Sequence, residues 1–171
     1  MARQEVWQQV GITPKKDDLL ADPAALIIAD TWLVLGQYTW PEERVMGRRS
    51  WLYGHQSGRT ALVLEFAFGS QPFATALVPQ GKYAGELAFY PGLLPLRAAP
   101  ANLVFKGSAA EAIPPAQSIG ELLESYATAL ARQPWLRQWP AALGPVLLAP
   151  QADGPWLLHQ AAGSAEPRAL P

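Results

Sequence analysis

The chain has no cysteine. Disulfides, a cysteine nucleophile and any cysteine-ligated zinc site within it are therefore excluded. Histidine is almost as scarce. His55 and His159 are the only two, and neither stands in an HxH or HExxH arrangement. A zinc site would have to gather both of them with carboxylates, so the expectation is no metal and no other cofactor. Charge is sparse as well, at 16% of residues, with 13 Lys and Arg against 14 Asp and Glu for a net charge of -1. That excludes the broad positive field of a typical nucleic-acid binder and leaves room only for a local basic patch. No apolar run approaches the about 20 residues of a membrane-spanning helix. The opening residues, MARQEVWQQVG, hold no signal-peptide core. A cytoplasmic protein without a membrane partner is the expectation. The sequence also lacks GxGxxG, GxxxxGK[ST] and GxSxG, the phosphate-cradling and nucleophile-elbow patterns.

What the 171 residues do contain is apolar surface. Half of them are hydrophobic and seven are tryptophan. A chain of this length buries a sizeable core without metal or disulfide staples, and a single domain over 1–171 is expected. High apolar content with little charge also predicts a surface that a protein partner or neighbouring domain covers.

The fold class expected is α+β. Residues 1–29 read as a helical or coil segment, with a short helix at 2–10 where Val6 and Val10 recur at i,i+4 and Gly11 and Pro14 follow. Residues 30–106 read as an antiparallel, curved meander sheet. Its runs are β-branched and aromatic, and glycine and proline punctuate them. FATALV, from Phe73 to Val78, is one of the expected strands. Residues 118–140 read as a helical pair. Ser118 and Glu121 make a capping-box pattern for the first helix, and Pro134 opens a second with Trp135 and Trp139 at i,i+4. Residues 146–160 read as a terminal hairpin turning at Ala152-Asp153-Gly154.

The chemistry-bearing stretch is a hairpin: Arg44 to Tyr53, the connection GHQSG, and TALVLEFAF. Pairing Tyr53 with Arg59 puts Arg49, Trp51, Tyr53 and Glu65 on one face, with a diagonal Arg49–Glu65 ion pair. The other face then takes Arg48, Ser50, Leu52 and Phe66. A five-residue connection fixes this register only weakly, and a one-residue slip would redistribute everything. On a binding reading, Arg44, Arg48, Arg49 and Arg59 contact phosphates while Trp51 and Tyr53 stack on bases. Against it, adjacent Arg48 and Arg49 point to opposite faces of a strand. The competing reading is a core hairpin with arginines at its edges. Glu65, an acid inside an apolar run, demands a partner or a shifted pKa. Ser57, His55 and Asp30 supply the side chains of a triad, but nothing in their spacing supports one.

WLVLGQYTWPEERVMGRRSWLYG and LAFYPGLLPLRA, with the late PWLLHQAAGSAEPRALP, resemble the region downstream of the zinc finger in bacterial SWIM zinc-finger domain proteins. The similarity covers most of the chain after about Thr31. That family's zinc ligands include cysteines, so none carries over to this sequence. The resemblance implies either a separate domain of a larger multidomain protein or a relative that lacks the finger. The function expected is a non-catalytic interaction or scaffold domain. A nucleic-acid-binding accessory domain is the alternative, and a hydrolytic enzyme comes third.

Overall fold

A single long strand organises the N-terminal half. β1 spans Leu26–Glu42, 17 residues rich in β-branched and aromatic side chains. It is long enough to serve two partners. Its first half, Leu26 to Leu33, pairs antiparallel with β4 (Gly81–Phe89), and Trp32 to Glu42 pairs antiparallel with β2 (Val45–Gly54). The register against β2 shifts between Val34 and Gly36. Such a bulge bends a strand and raises its local twist. β2 pairs with β3 (Thr60–Phe68). β4 pairs with the short β5 (Ala98–Pro100) and, through its first residues, with β6 (Val104–Ser108). The sheet order is β3-β2-β1-β4-β5.

The two ends of that order meet. Leu62 of β3 donates its N–H to the carbonyl of Leu96 at 2.7 Å, and Leu62 and Arg97 form a parallel bridge. The sheet wraps 290° round an axis, so it is nearly closed into a barrel. This corrects the open, curved meander expected from the sequence. The pattern of runs and turns carries no sign that the proline-broken segment before β5 returns to β3.

The expected strand at Phe73 to Val78 does not form either. The carbonyls of Thr75, Ala76 and Leu77 are taken instead by the side chains of Arg48, Tyr83 and Gln37. Of AALIIAD, Leu26 to Asp30 open β1, and Ala24 and Ala25 lie in the turn between it and α1 (Lys16–Ala21).

The computed structural model describes residues 14–108, 117–143, 146–149, 157–160 and 168–169. The helix expected at 2–10 and the turn expected at 152–154 lie outside the described residues. The chain divides into two compact units, Met1–Pro114 and Pro115–Pro171. In the first, the barrel interior holds Trp32, Val34, Leu52, Ala61, Val63, Leu87 and Phe89. Burying a Val, Leu or Phe side chain of this kind contributes about 1.5–3 kcal/mol. Trp32 is fully buried, and its Nε1 donates to the Gly85 carbonyl at 3.1 Å. Gly85 has φ +148, and a Cβ there would run into the Asn102 carbonyl. A small outer cluster packs Leu19 of α1 against Ala88, Tyr90 and Ala99.

In the second unit, α2 (Ile119–Arg132) starts at a complete capping box between Ser118 and Glu121. The second helix of the expected pair does not form: beyond Gln133 the described chain holds a turn and then irregular structure. Pro134 and Pro140 leave too few residues between them to repay helix nucleation. Trp139 instead donates from Nε1 to Ser125 Oγ at 3.3 Å. β7 (Val146–Ala149) pairs antiparallel with β8 (Leu157–Gln160), and β8 pairs with β9 (Arg168–Ala169). Among the described residues, no helix is long and apolar enough to cross a membrane.

Candidate binding face

The β2–β3 register decides which hairpin side chains can act together. Gly54 donates its N–H to the Arg59 carbonyl at 2.8 Å, which closes the hairpin one residue later than the sequence suggests. Tyr53 therefore faces Thr60 rather than Arg59. A slip of one residue turns every side chain of β3 over. Ala61, Val63 and Glu65 point inward with Ser50, Leu52 and Arg48. Leu62, Leu64, Phe66 and Phe68 join Arg49, Trp51 and Tyr53 on the outer wall.

The connection is held from a distance. Asp30 accepts the N–H groups of Gln56 and Ser57 at 2.9 and 2.8 Å, together with that of Thr31 at 2.6 Å. Burial pushes the Asp30 carboxyl up. The hydrogen bonds from the Ser57 side chain and from the amides of Gln56, Ser57 and Thr31 outweigh it, leaving the group below its ordinary 3.8. Asp30 and Ser57 thus do meet, as an acid capping a loop. His55 lies exposed on that loop, with its backbone N–H on the Thr31 carbonyl. Among the described residues, no three His, Cys, Asp or Glu side chains are grouped to hold a metal ion.

Glu65 pairs with Arg48, not with Arg49 as expected: Arg48 Nη2 lies 2.6 Å from Glu65 Oε2. The slipped register is the reason, since it sets Arg48 directly opposite Glu65 and Arg49 opposite Leu64. The pair ties down the connector between β3 and β4. Arg48 also donates to the carbonyls of Thr75 and Leu77, and its guanidinium lies 4.2 Å from the centre of the Phe73 ring. The other Glu65 oxygen accepts the Thr75 N–H at 2.8 Å. Beside them, Gln37 donates to Ser50 Oγ and to the Leu77 carbonyl, both at 3.0 Å. Arg48 is 8% exposed, so it is not placed to meet a phosphate. Its charge and that of Glu65 offset each other inside the barrel.

The outer wall is different in kind. Tyr38 and Phe68 are each 64% exposed and Phe66 is 47% exposed. Trp40 links them. It stacks on Tyr38 with ring centres 6.0 Å apart and planes at 14°, and it meets Phe66 edge-on at 6.2 Å. The Arg49 guanidinium lies 5.0 Å over the Trp40 ring. Gly47, opposite Trp40 on β2, makes this possible, because a Cβ there would overlap the indole. Trp51 and Tyr53 are half-buried further along the same face, and Arg44 and Arg59 are exposed at its two ends. Between Arg44 and Phe68 the only acid is Glu65, and it points inward. The nearest outward acids, Glu42 and Glu43, sit at the β1–β2 turn, where Glu42 accepts from Trp40 Nε1 at 3.4 Å.

Of the six proposed nucleic-acid contacts, the structure thus puts Arg49, Trp51 and Tyr53 on one wall, Arg44 and Arg59 at its ends, and Arg48 inside. Sequence reasoning missed Tyr38, Trp40, Phe66 and Phe68. Their signal was two aromatic pairs at i,i+2, the spacing that puts both members on one strand face. No protein family, curated protein or solved structure matches the chain.

Proposed function

We propose that this chain is a non-catalytic binding domain that docks its partner on the outer wall of β1, β2 and β3. The observation that carries this is the group of exposed Tyr38, Phe66 and Phe68 around half-buried Trp40, which lies over Gly47 beneath the Arg49 guanidinium. Aromatic and arginine side chains in contact with one another are the groups that dominate binding energy at recognition surfaces. Among the described residues, the acids and histidine singled out from the sequence are engaged or apart. Asp30 caps a loop, Glu65 is paired inside the barrel, and His55 lies on an exposed connection.

Topology supports the same face. A partly open barrel with β1 between β2 and β4, and with β3 running parallel to β5 at the closure, is the arrangement of OB barrels. Those use the face of their second and third strands for binding. The likeness is one of connectivity and assigns no ligand by itself.

Replacing Tyr38 and Phe68 together by serine tests the proposal. Both are largely exposed, so the unfolding midpoint should stay close to that of the parent chain. Expressed at native level in its own host, the parent chain elutes in a larger assembly and the double variant at the size of the free chain. Identical elution of the two at the free-chain size counts against the proposal.

A further inference from the structure

We infer that the partner of this face is a single-stranded nucleic acid, whose bases stack on the outer-wall rings and whose phosphates meet Arg44, Arg49 and Arg59. The inference rests on the binding-face reading above and specifies its ligand. Arg49, Trp51 and Tyr53 stand at alternate positions of β2, so neighbouring planar groups lie about 6.7 Å apart along one line. Tyr38 and Trp40 run beside them on β1, in register with Arg49 and Gly47. The lane is therefore a strip of π-faces with a guanidinium in its middle and one at each end. Every base offers a ring to such a strip, whatever the sequence.

Charge selects this ligand over an apolar peptide. The outward charges of the β2–β3 hairpin are all arginine, because the strand register sends Glu65 inside to Arg48. The net charge of -1 conceals this separation. A duplex fits poorly, since its bases are already stacked on one another and out of reach of rings on a sheet surface, whereas an unpaired strand presents them.

The test uses the purified full chain and fluorescein-labelled oligothymidylate and oligouridylate of about 12 nucleotides, within the usual site size of such barrels. Anisotropy is read across a salt series, with a duplex of equal length as comparison. The inference predicts binding of one or both single strands and weaker binding of the duplex. With three phosphates engaged, log K should fall against log salt with a slope of about -2. Trp40→Ala and Trp51→Ala should each weaken binding about tenfold. Tyr38→Ser, at a site already mostly exposed, should weaken it without moving the unfolding midpoint, and Phe105→Ser on β6 should leave it unchanged.

Binding that the Trp40 and Tyr38 variants leave intact overturns the inference. So does the absence of oligonucleotide binding. If that absence accompanies loss of the cellular assembly in the Tyr38 and Phe68 double variant, the face binds a protein: the ligand assignment falls and the binding domain stands. If the double variant also keeps its assembly, both fall.

Discussion

Asp30 shows how much one residue can hold. Its carboxylate collects three backbone N–H groups, two of them from a loop 26 and 27 residues further along the chain. Asp30→Ala leaves those two loop amides without their acceptor and should cost about 1–3 kcal/mol in urea unfolding at neutral pH. The pH dependence has a definite sign. Its folded-state pKa lies below the ordinary 3.8, so the stabilisation is fully present above that value and is lost as pH falls through the folded-state pKa. The gap between parent and Asp30→Ala should therefore narrow in acid below about pH 4. A gap that widens there would refute the capping role. Gly85 is a second such position. Gly85→Ala meets both a positive φ and the backbone carbonyl of Asn102, and it should destabilise by about 1–3 kcal/mol or more. Neither role was legible in the sequence. Asp30 and its loop are far apart in the chain, and Gly85 lies inside a strand rather than at a turn.

Among the elements, the β2–β3 hairpin and the connector that follows it act as one piece. Arg48 and Glu65 join the two strands, and both bind the connector at Thr75. Removing either partner leaves a buried charge unpaired, and Arg48→Ala or Glu65→Ala should each cost about 3–5 kcal/mol. Replacing both by apolar residues of similar size should cost much less than the sum. Simple additivity of the single variants in thermal unfolding would contradict the pairing. The hairpin was readable from its alternation, and Glu65 was readable as an acid in need of a partner. Which arginine answered it was not, because the register depends on how GHQSG closes. The Ser118–Glu121 capping box at the start of α2 was fully local and therefore visible. The failed second helix turned on Pro134 and Pro140, which can open and close a helix but here leave no room for one.

At the scale of the whole molecule, the sequence announced antiparallel strands but not their closure. Closure depends on β1 serving two walls and on Leu62 meeting the chain at Leu96 and Arg97, contacts that no local pattern encodes. The candidate site follows from that geometry. The barrel gives the hairpin an inside and an outside, draws Arg48 and Glu65 in, and leaves Arg49 with the exposed rings outside. A composition with almost balanced charge becomes an aromatic strip with Arg49 over Trp40, while Glu42 and Glu43 stand at the β1–β2 turn. The most direct test of that strip is photo-crosslinking in the intact host cell. A photoreactive residue is placed at Tyr38, at Phe68 or, for comparison, at Lys106 on β6. Adducts that nuclease removes are expected at positions 38 and 68, and none at 106. Adducts at 106 alone, or none at 38 and 68, would contradict the account.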